Sequence, residues 1–78
     1  MVIKFDHWKL IGKILEVYGT YARFAEALGI SEHSLSMKLG NESYFRHDEI
    51  NKALSLLGIG ADDAREYFFQ VVSIRGRL

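Results

Sequence analysis

The side chains that could do chemistry in this 78-residue chain do not form a catalytic or metal-binding pattern. The three histidines, at positions 7, 33 and 47, lack the spacing of metal ligands. The sequence contains no arrangement of serine, histidine and aspartate that suggests a nucleophile, and no glycine run typical of a phosphate-binding loop. A chain of this size also leaves little room for a substrate pocket. We therefore expect a protein that is not an enzyme and that needs no cofactor, metal or small-molecule substrate.

Polar side chains and one methionine are instead concentrated on one side of a short predicted helix, Ser31–Leu39. If Leu35 faces the interior, the opposite side of this helix, at ~100° per residue, carries groups that hydrogen-bond or make soft apolar contacts. These outward and flanking side chains are those of Glu32, His33, Ser36 and Met37. The helix therefore offers a surface for recognition and no reactive group.

Another short helix and a tight turn precede this predicted helix in the chain. Over Tyr21–Leu28 the apolar residues recur at i, i+3, i+4 and i+7, which predicts one buried helical face. Thr20 and Ser31 are expected to cap the two helices with their hydroxyl groups. Gly29 should end the first helix, because a residue without Cβ adopts left-handed backbone angles at little steric cost, and Gly40 should end the second in the same way.

Two short helices joined by a turn that contains glycine are the signature of a helix-turn-helix. In Phe24–Ser31 (FAEALGIS) and Leu35, the chain resembles the family of lambda-type phage repressors and Cro proteins. With the SLSMKL run, a following aspartate–glutamate–isoleucine helix and an LGI, it is most similar to small phage-encoded Cro-like regulators of Gram-positive hosts. The resemblance covers about Phe5 to Phe69. It implies an all-α, five-helix, lambda-repressor-like fold with the helix-turn-helix at the second and third helices.

The resemblance also implies that the helix Ser31–Leu39 enters the major groove of double-stranded DNA and contacts base edges. Carried over by position, the base contacts are Ser31, Glu32, His33, Ser36 and Met37, and the phosphate contacts are Thr20, Tyr21, Arg23, Lys38, Asn41, Ser43, Tyr44 and Arg46. Glu32 can accept from cytosine, His33 can bond to guanine and Met37 can contact a thymine methyl group. No Gln, Asn or Arg lies on this face, so the target bases stay open.

These assignments have structural alternatives. The alternatives are a favourable first-turn charge for Glu32, a solvated face for His33, Met37 and Arg46, and a loop anchored in the core for Tyr44 and Phe45. The ammonium of Lys38 is expected to reach solvent or phosphate while its stem packs. His7 and His47 are expected at the surface.

Three further helices and a tail complete a predicted single domain over residues 1–78, with a core at about 5–69. The predicted helices are His7–Tyr18 after an Asp6 cap, about Arg46–Leu57, and Gly60–Phe69. In the first of these helices the residues expected on the buried face are Ile11, Ile14, Leu15 and Tyr18, with Trp8 one turn before. The β-branched tail after Phe69 could extend the last helix or form a strand.

The composition is typical of a globular protein without disulfides, with 49% hydrophobic residues, no cysteine and no proline. No apolar run approaches the ~18 residues of a membrane span, and no stretch resembles a signal peptide. We therefore expect a soluble protein in the cytoplasm of a bacterial host cell, with no membrane partner. The formal net charge of zero counts against a nucleic-acid binder, for which a basic surface is expected.

The apolar tail is the candidate contact between two copies of the chain. One helix-turn-helix reads about half a site, so dimers on two half-sites are the usual arrangement. The predicted dimer contacts are Phe69, Val71, Val72 and Ile74. The alternative is a tail that folds back to complete its own core.

These patterns predict a small phage-type transcriptional regulator that binds a double-stranded DNA operator sequence-specifically as a homodimer. The alternative is a protein-interaction module with a helix-turn-helix fold, such as an anti-repressor, which zero net charge favours. The two predictions differ in the surface charge over the third helix and residues 40–46. A positive face supports DNA binding, whereas a neutral or acidic face supports a protein partner.

Overall fold

The helices of the computed structural model begin and end close to the predicted caps and glycines. The structure describes residues 4–72. Its elements are α1 (Trp8–Tyr18), α2 (Tyr21–Leu28), α3 (Glu32–Leu39), α4 (His47–Leu57), a 3₁₀ turn (Ala61–Asp63) and α5 (Ala64–Phe68). The described residues form no strand, although one antiparallel bridge joins Phe5 to Val71. The prediction of a five-helix, all-α fold is confirmed.

The largest error in the predicted boundaries is in the last helix. Residues 61–63 wind into a 3₁₀ turn after an extended Gly60, so α5 covers five residues and the prediction of Gly60–Phe69 was too long. Three other helix starts, those of α1, α3 and α4, come one residue later than predicted. α1 begins at Trp8, whose N–H donates to Asp6 Oδ1 at 2.9 Å, and α4 begins at His47.

α2 lies at the centre of the domain because it packs against α1, α3 and α4. Its Phe24 is fully buried, and the ring meets that of Tyr18 edge-on with centroids 5.3 Å apart. Leu10, Ile14 and Leu35 are fully buried as well, and each such side chain contributes about 1.5–3 kcal/mol by leaving water. The rest of the core consists of Ala25, Leu28, Leu39, Ala53, Leu54, Leu57, Ile59 and Phe68.

The turn between α2 and α3 has the predicted caps. Thr20 Oγ1 accepts the N–H of Arg23 at 3.2 Å, and Ser31 Oγ accepts the N–H of Ser34 at 3.0 Å. Gly29 takes left-handed angles, with φ of 91°. These three local features fix the direction in which α3 leaves α2.

The end of α3 differs from the prediction. Gly40 keeps a negative φ of −91°, and the left-handed residue is Asn41, with φ of 67°. The Asn41 amide pairs with the backbone of Phe5: Nδ2 donates to the carbonyl and Oδ1 accepts the N–H, both at 2.8 Å. The Asn41 side chain therefore ties the N-terminal segment to the end of α3, while its predicted contact with phosphate stays a prediction.

The tail pairs with the other edge of the N-terminal segment. The N–H of Asp6 donates to the carbonyl of Gln70 at 2.6 Å, and the N–H of Val72 donates to the carbonyl of Lys4 at 3.0 Å. Residues 70–72 therefore run alongside residues 4–6 and do not extend α5. Of the two predicted states of the tail, the described part is the extended one.

The predicted dimer contacts have partners within their own chain. The Phe69 ring meets the Phe5 ring edge-on at 5.8 Å, and Val71 forms the bridge with Phe5. This is the alternative in which the tail folds back, but Phe69, Val71 and Val72 stay 44%, 57% and 38% exposed. Ile74 lies outside the described residues. A dimer contact through this segment stays a prediction.

His7 is buried, so its predicted place at the surface was wrong. It is 5% exposed, and its Nδ1 lies 3.1 Å from the carbonyl oxygen of Leu39. Because a carbonyl can only accept, Nδ1 carries the proton in this contact. The Phe45 ring packs edge-on against the imidazole at 5.6 Å. His7 therefore holds the start of α1 against the end of α3.

The buried face of α1 is rotated from the predicted one, which was right for Ile14 and wrong for Trp8 and Leu15. Trp8 is 79% exposed and Leu15 is 45% exposed, although both were assigned to the core side. Ile14 is fully buried and Ile11 and Tyr18 pack half-buried against the core, as predicted, and Leu10 is fully buried as well. The helix has two neighbouring apolar stripes, and the packing of α2, α4 and α5 against α1 determines which one is covered.

An ion pair links α1 to α5. Lys9 Nζ lies 2.7 Å from Glu66 Oε2 and 5.3 Å from the centre of the Tyr67 ring. The hydrogen bond to Glu66 holds the pKa of Lys9 above its ordinary value. Both side chains are about half exposed, so the pair adds little stability and mainly orients the two helices.

Lys38 lies inside the domain, and its ammonium has partners there, while its contact with phosphate stays a prediction. The residue is 7% exposed. Its Nζ donates to the carbonyl of Tyr44 at 3.2 Å and lies 3.4 Å from Glu49 Oε1. The same carboxylate oxygen accepts the N–H of Arg46 at 2.8 Å, at the start of α4. The ammonium thus connects α3, the following loop and α4.

Substitutions of Asn41 separate its two roles, which are to adopt left-handed backbone angles and to pair with the backbone of Phe5. Asn41→Gly keeps the backbone angles but removes the pairing with Phe5, and we expect it to lower the free energy of unfolding by about 1–2 kcal/mol. Asn41→Ala adds a strained Cβ at positive φ and should cost about 1 kcal/mol more. Chemical denaturation followed by circular dichroism measures both. Asn51→Ala, in an exposed position of α4, is the control. An alanine variant more stable than the glycine variant would contradict this account.

Substitution of Lys38 tests the internal ion pair. Lys38→Met keeps the packed stem but leaves the Glu49 carboxylate without its cation, so we expect a loss of about 3 kcal/mol in unfolding free energy. The double variant Lys38→Met/Glu49→Gln should recover at least half of that loss, because no unpaired charge remains. Lys52→Met, at an exposed lysine of α4, should change little. Equal stability of Lys38→Met and the unmodified protein would disprove the role of the pair.

Candidate functional site

α3 packs one side against α2 and exposes the other. Leu35 and Leu39 are buried, and Met37 is half-buried. The exposed side chains form what we call the α3 face: Ser31, Glu32, His33 and Ser36. The structure therefore brings four of the five predicted base contacts together on one surface. It places a carboxylate, an imidazole and two hydroxyl groups there.

Residues predicted to contact phosphate at the start of α2 have structural roles as well. The Thr20 hydroxyl caps α2 by accepting the N–H of Arg23. Tyr21 is half-buried against the core. The Arg23 side chain is exposed. Of these three residues, Arg23 therefore offers the cation that a phosphate contact requires.

The loop after α3 supplies less than predicted. Asn41 and Lys38 are engaged inside the domain, and Ser43 is half-buried. Tyr44 is 54% exposed, and its ring meets that of Phe5 edge-on at 6.3 Å. Arg46 is exposed and lies with its Nε 3.5 Å from Asp48 Oδ1. An ion pair this exposed is weak, so the guanidinium can exchange partners.

The charge over the helix-turn-helix is close to neutral. Residues 20–46, all of which the structure describes, expose two cations, Arg23 and Arg46, and three carboxylates, Glu26, Glu32 and Glu42. The exposed Lys52 of α4 adds a third cation at the turn, since its Nζ lies 3.7 Å from where a Cβ at Gly29 would be. Glu49 neutralises the remaining lysine of this segment from inside. A basic surface is the usual mark of a site that binds nucleic acid. This segment does not have one.

A small cavity lies under the loop, between the N-terminal segment and α5. It has a volume of about 50 Å³ and is lined by aromatic rings together with His7, Lys38 and Ser43. By this measure one water needs about 10–15 Å³, so the space is large enough for water. Within residues 4–72 there is no grouping of histidine, cysteine and acidic side chains that could hold a metal ion. None of the helices described is long and apolar enough to cross a membrane.

The sequence places the stem of Lys38 against the core, as predicted, and the prediction missed the internal partners of its ammonium. Leu35, Lys38 and Leu39 follow i, i+3 and i+4 spacing, so the lysine lies at the edge of the buried face of α3. The acidic neighbours Glu26 and Glu42 were not assigned to the site either. Counting these positions would have predicted a face with one cation fewer and two carboxylates more.

The chain matches a known protein family over most of its length. The sequence profile of the family described as "Protein of unknown function (DUF739)" matches residues 3–71. No curated protein matches the chain. Membership of the lambda-type repressor and Cro family stays a prediction.

A solved structure of a phage protein has a similar fold. It is the solution structure of the modulator of repression (MOR) of the temperate bacteriophage TP901-1 from Lactococcus lactis. The two chains share 42% sequence identity with a TM-score of 0.73, over 83% of this chain and 88% of that chain. The sequence match and the shared fold agree, and this protein belongs to the DUF739 family.

Proposed function

We propose that this protein is a phage-type regulator that modulates repression by binding another protein through the α3 face. The observation that carries the proposal is the charge of residues 20–46, which expose three carboxylates and two guanidinium groups. Binding to duplex DNA rests largely on cations that neutralise phosphates. Burial of Lys38 removes one such cation from this surface.

The chemistry of the α3 face indicates a basic partner. Glu32 is exposed at the start of α3, and Glu26 and Glu42 are exposed nearby in the chain. A repressor that binds an operator carries a basic DNA-binding surface, because that surface neutralises phosphates. Contact between the two would cover the surface with which the repressor holds its operator. The similar phage protein is named a modulator of repression, which fits such a role.

Direct, sequence-specific binding to a DNA operator is the second candidate. The helix-turn-helix geometry favours it, since α3 stands out from α2 with Glu32, His33 and Ser36 exposed. Arg23 and Arg46 would then hold the phosphates, and the protein would bind two half-sites as a homodimer. Each copy would then neutralise about two phosphates. The logarithm of the binding constant falls with the logarithm of the salt concentration by about 0.9 per phosphate neutralised, so this dependence would be shallow.

A competition experiment separates the two candidates. The repressor encoded by the same genome is bound to its labelled operator duplex, and this protein is added. We expect release of the DNA and a protein–protein complex that sediments without DNA, while this protein alone leaves the duplex free. Enrichment of a two-fold symmetric site from random duplex DNA by this protein alone would instead establish the second candidate.

Charge reversal on the α3 face gives opposite results for the two functions. Glu32→Lys should weaken the complex with a basic repressor at least tenfold, about 1.4 kcal/mol, because attraction becomes repulsion. For a DNA binder the same change adds a cation, tightens duplex binding and steepens the salt slope by about 0.9. Isothermal titration calorimetry and fluorescence anisotropy measure the two affinities.

The matched control for this charge reversal is Asp62→Lys. Asp62 is exposed in the 3₁₀ turn, and its substitution changes the net charge equally. We expect it to leave the complex with the repressor nearly unchanged. A similar loss with both variants would show that overall charge, and not the α3 face, determines binding.

Two substitutions test the division of roles in the DNA-binding candidate. His33 is exposed on α3, so His33→Ala should alter base preference with a discrimination change of about 1–3 kcal/mol at one position. Arg46 lies at the loop, so Arg46→Ala should weaken binding to all sequences alike. Binding to a panel of duplexes measures both effects. Equal changes across the panel for both variants would disprove the division.

A further inference from the structure

α1 has a second apolar face that the fold leaves uncovered. Trp8 is 79% exposed and Leu15 is 45% exposed, with the exposed Gly12 and the half-buried Ile11, which also packs against the core, between them on the same side of the helix. We call these four residues the α1 stripe. They line a shallow groove together with Lys9. A Cβ placed at Gly12 would meet no atom within 4 Å, so the groove is open at its centre.

We propose that the α1 stripe is the contact surface for a second copy of this chain, in an antiparallel pair of α1 helices. Positions 8, 11, 12 and 15 are symmetric about a point between Ile11 and Gly12. A two-fold axis at that point sets Trp8 opposite the partner's Leu15 and Ile11 opposite the partner's Gly12. An isologous contact requires such a self-complementary surface. Here each larger side chain faces a smaller one.

The charges beside the stripe are complementary in the same arrangement. Lys9 and Glu16 lie on one flank of the helix, and an antiparallel pair brings equal flanks together. With a rise of 1.5 Å per residue, Lys9 comes within about 3 Å, measured along the axis, of the partner's Glu16. Lys9 already pairs with Glu66 of its own chain at 2.7 Å, but it is half exposed, so its ammonium would lie between Glu66 and the partner's Glu16, once on each side of the axis. Glu16 is available for this contact, since its carboxylate is 70% exposed and lies 4.0 Å from Lys13.

The size of the stripe sets the strength of the contact. α1 has 11 residues, which corresponds to a helix about 16 Å long. One face of such a helix is smaller than the ~800 Å² per partner of stable interfaces, so the dimer forms and dissociates readily with concentration. Trp8 supplies the anchor, since tryptophan dominates binding energy in many interfaces. The stripe shares no residue with the α3 face, so this inference does not rest on the proposed function.

Sedimentation velocity of the full chain tests the surface. We expect a monomer–dimer equilibrium that shifts toward dimer with concentration. Trp8→Ala and Gly12→Leu should each raise the dimer dissociation constant at least tenfold, while Val17→Ala, at an exposed position of α1 off the stripe, should not. Leucine at position 12 meets open space and favours helix, so circular dichroism should show both stripe variants folded. A strictly monomeric protein, or dimers that survive both stripe substitutions, would overturn the inference.

Disulfide trapping tests the antiparallel register. The chain has no cysteine, so single cysteines report one contact each. Gly12→Cys lies beside the two-fold axis and should form a disulfide dimer under mild oxidation, because its Cα atoms approach within the ~4.4–6.8 Å that a disulfide spans. In Trp8→Cys the two sulfurs would lie about 10 Å apart along the axis and should not react. Ser55→Cys, on the exposed side of α4, gives the background. Efficient trapping at position 8, or none above background at position 12, would overturn the antiparallel pair.

Discussion

The ion pair between Lys38 and Glu49 determines both the frame of the helix-turn-helix and the charge of its surface. Its two side chains are 8% and 12% exposed. An ammonium at this depth loses several kcal/mol of hydration unless acceptors surround it. The Tyr44 carbonyl and the Glu49 carboxylate provide those acceptors, which fixes the loop and the start of α4 relative to α3. The same contacts remove a cation from the surface, so stability and surface charge depend on one interaction.

A second constraint acts where the N-terminal segment, the end of α3 and the tail meet. The backbone of residue 5 lies between the Asn41 amide on one side and the tail on the other. Three segments far apart in sequence are thus joined through short polar contacts, and the Phe5, Tyr44 and Phe69 rings meet edge-on around them. A domain of this size buries a limited core, near 60% of the unfolded surface, and such contacts add to its stability.

Features that depend on neighbours in the sequence could be predicted, and features that depend on distant partners could not. The α2 pattern, the Thr20 and Ser31 caps and the Gly29 turn depend on neighbours within one helical turn, and all three are confirmed. The positions of His7, Lys38 and Asn41 depend on acceptors that lie far away in sequence or across a turn, so local patterns did not reveal them. α1 is the clearest case, because its two apolar stripes have similar composition and only the packing of other helices decides between them. The exposure of Trp8 therefore could not be derived from periodicity.

The α3 face and the α1 stripe differ in chemistry, and this difference suggests how they would work together. The α3 face is polar and slightly acidic, which favours selectivity and fast association with a basic partner. The α1 stripe is small and apolar, and in the proposed dimer it would give a weak contact between copies. Repressors commonly bind operators as two-fold dimers, so two copies of this protein on one repressor would be held near each other. At that effective concentration a weak contact through Trp8 becomes significant, and binding of the second copy gains from the first. A weak dimer interface would then make the response to protein concentration steep, while each free copy remains able to dissociate.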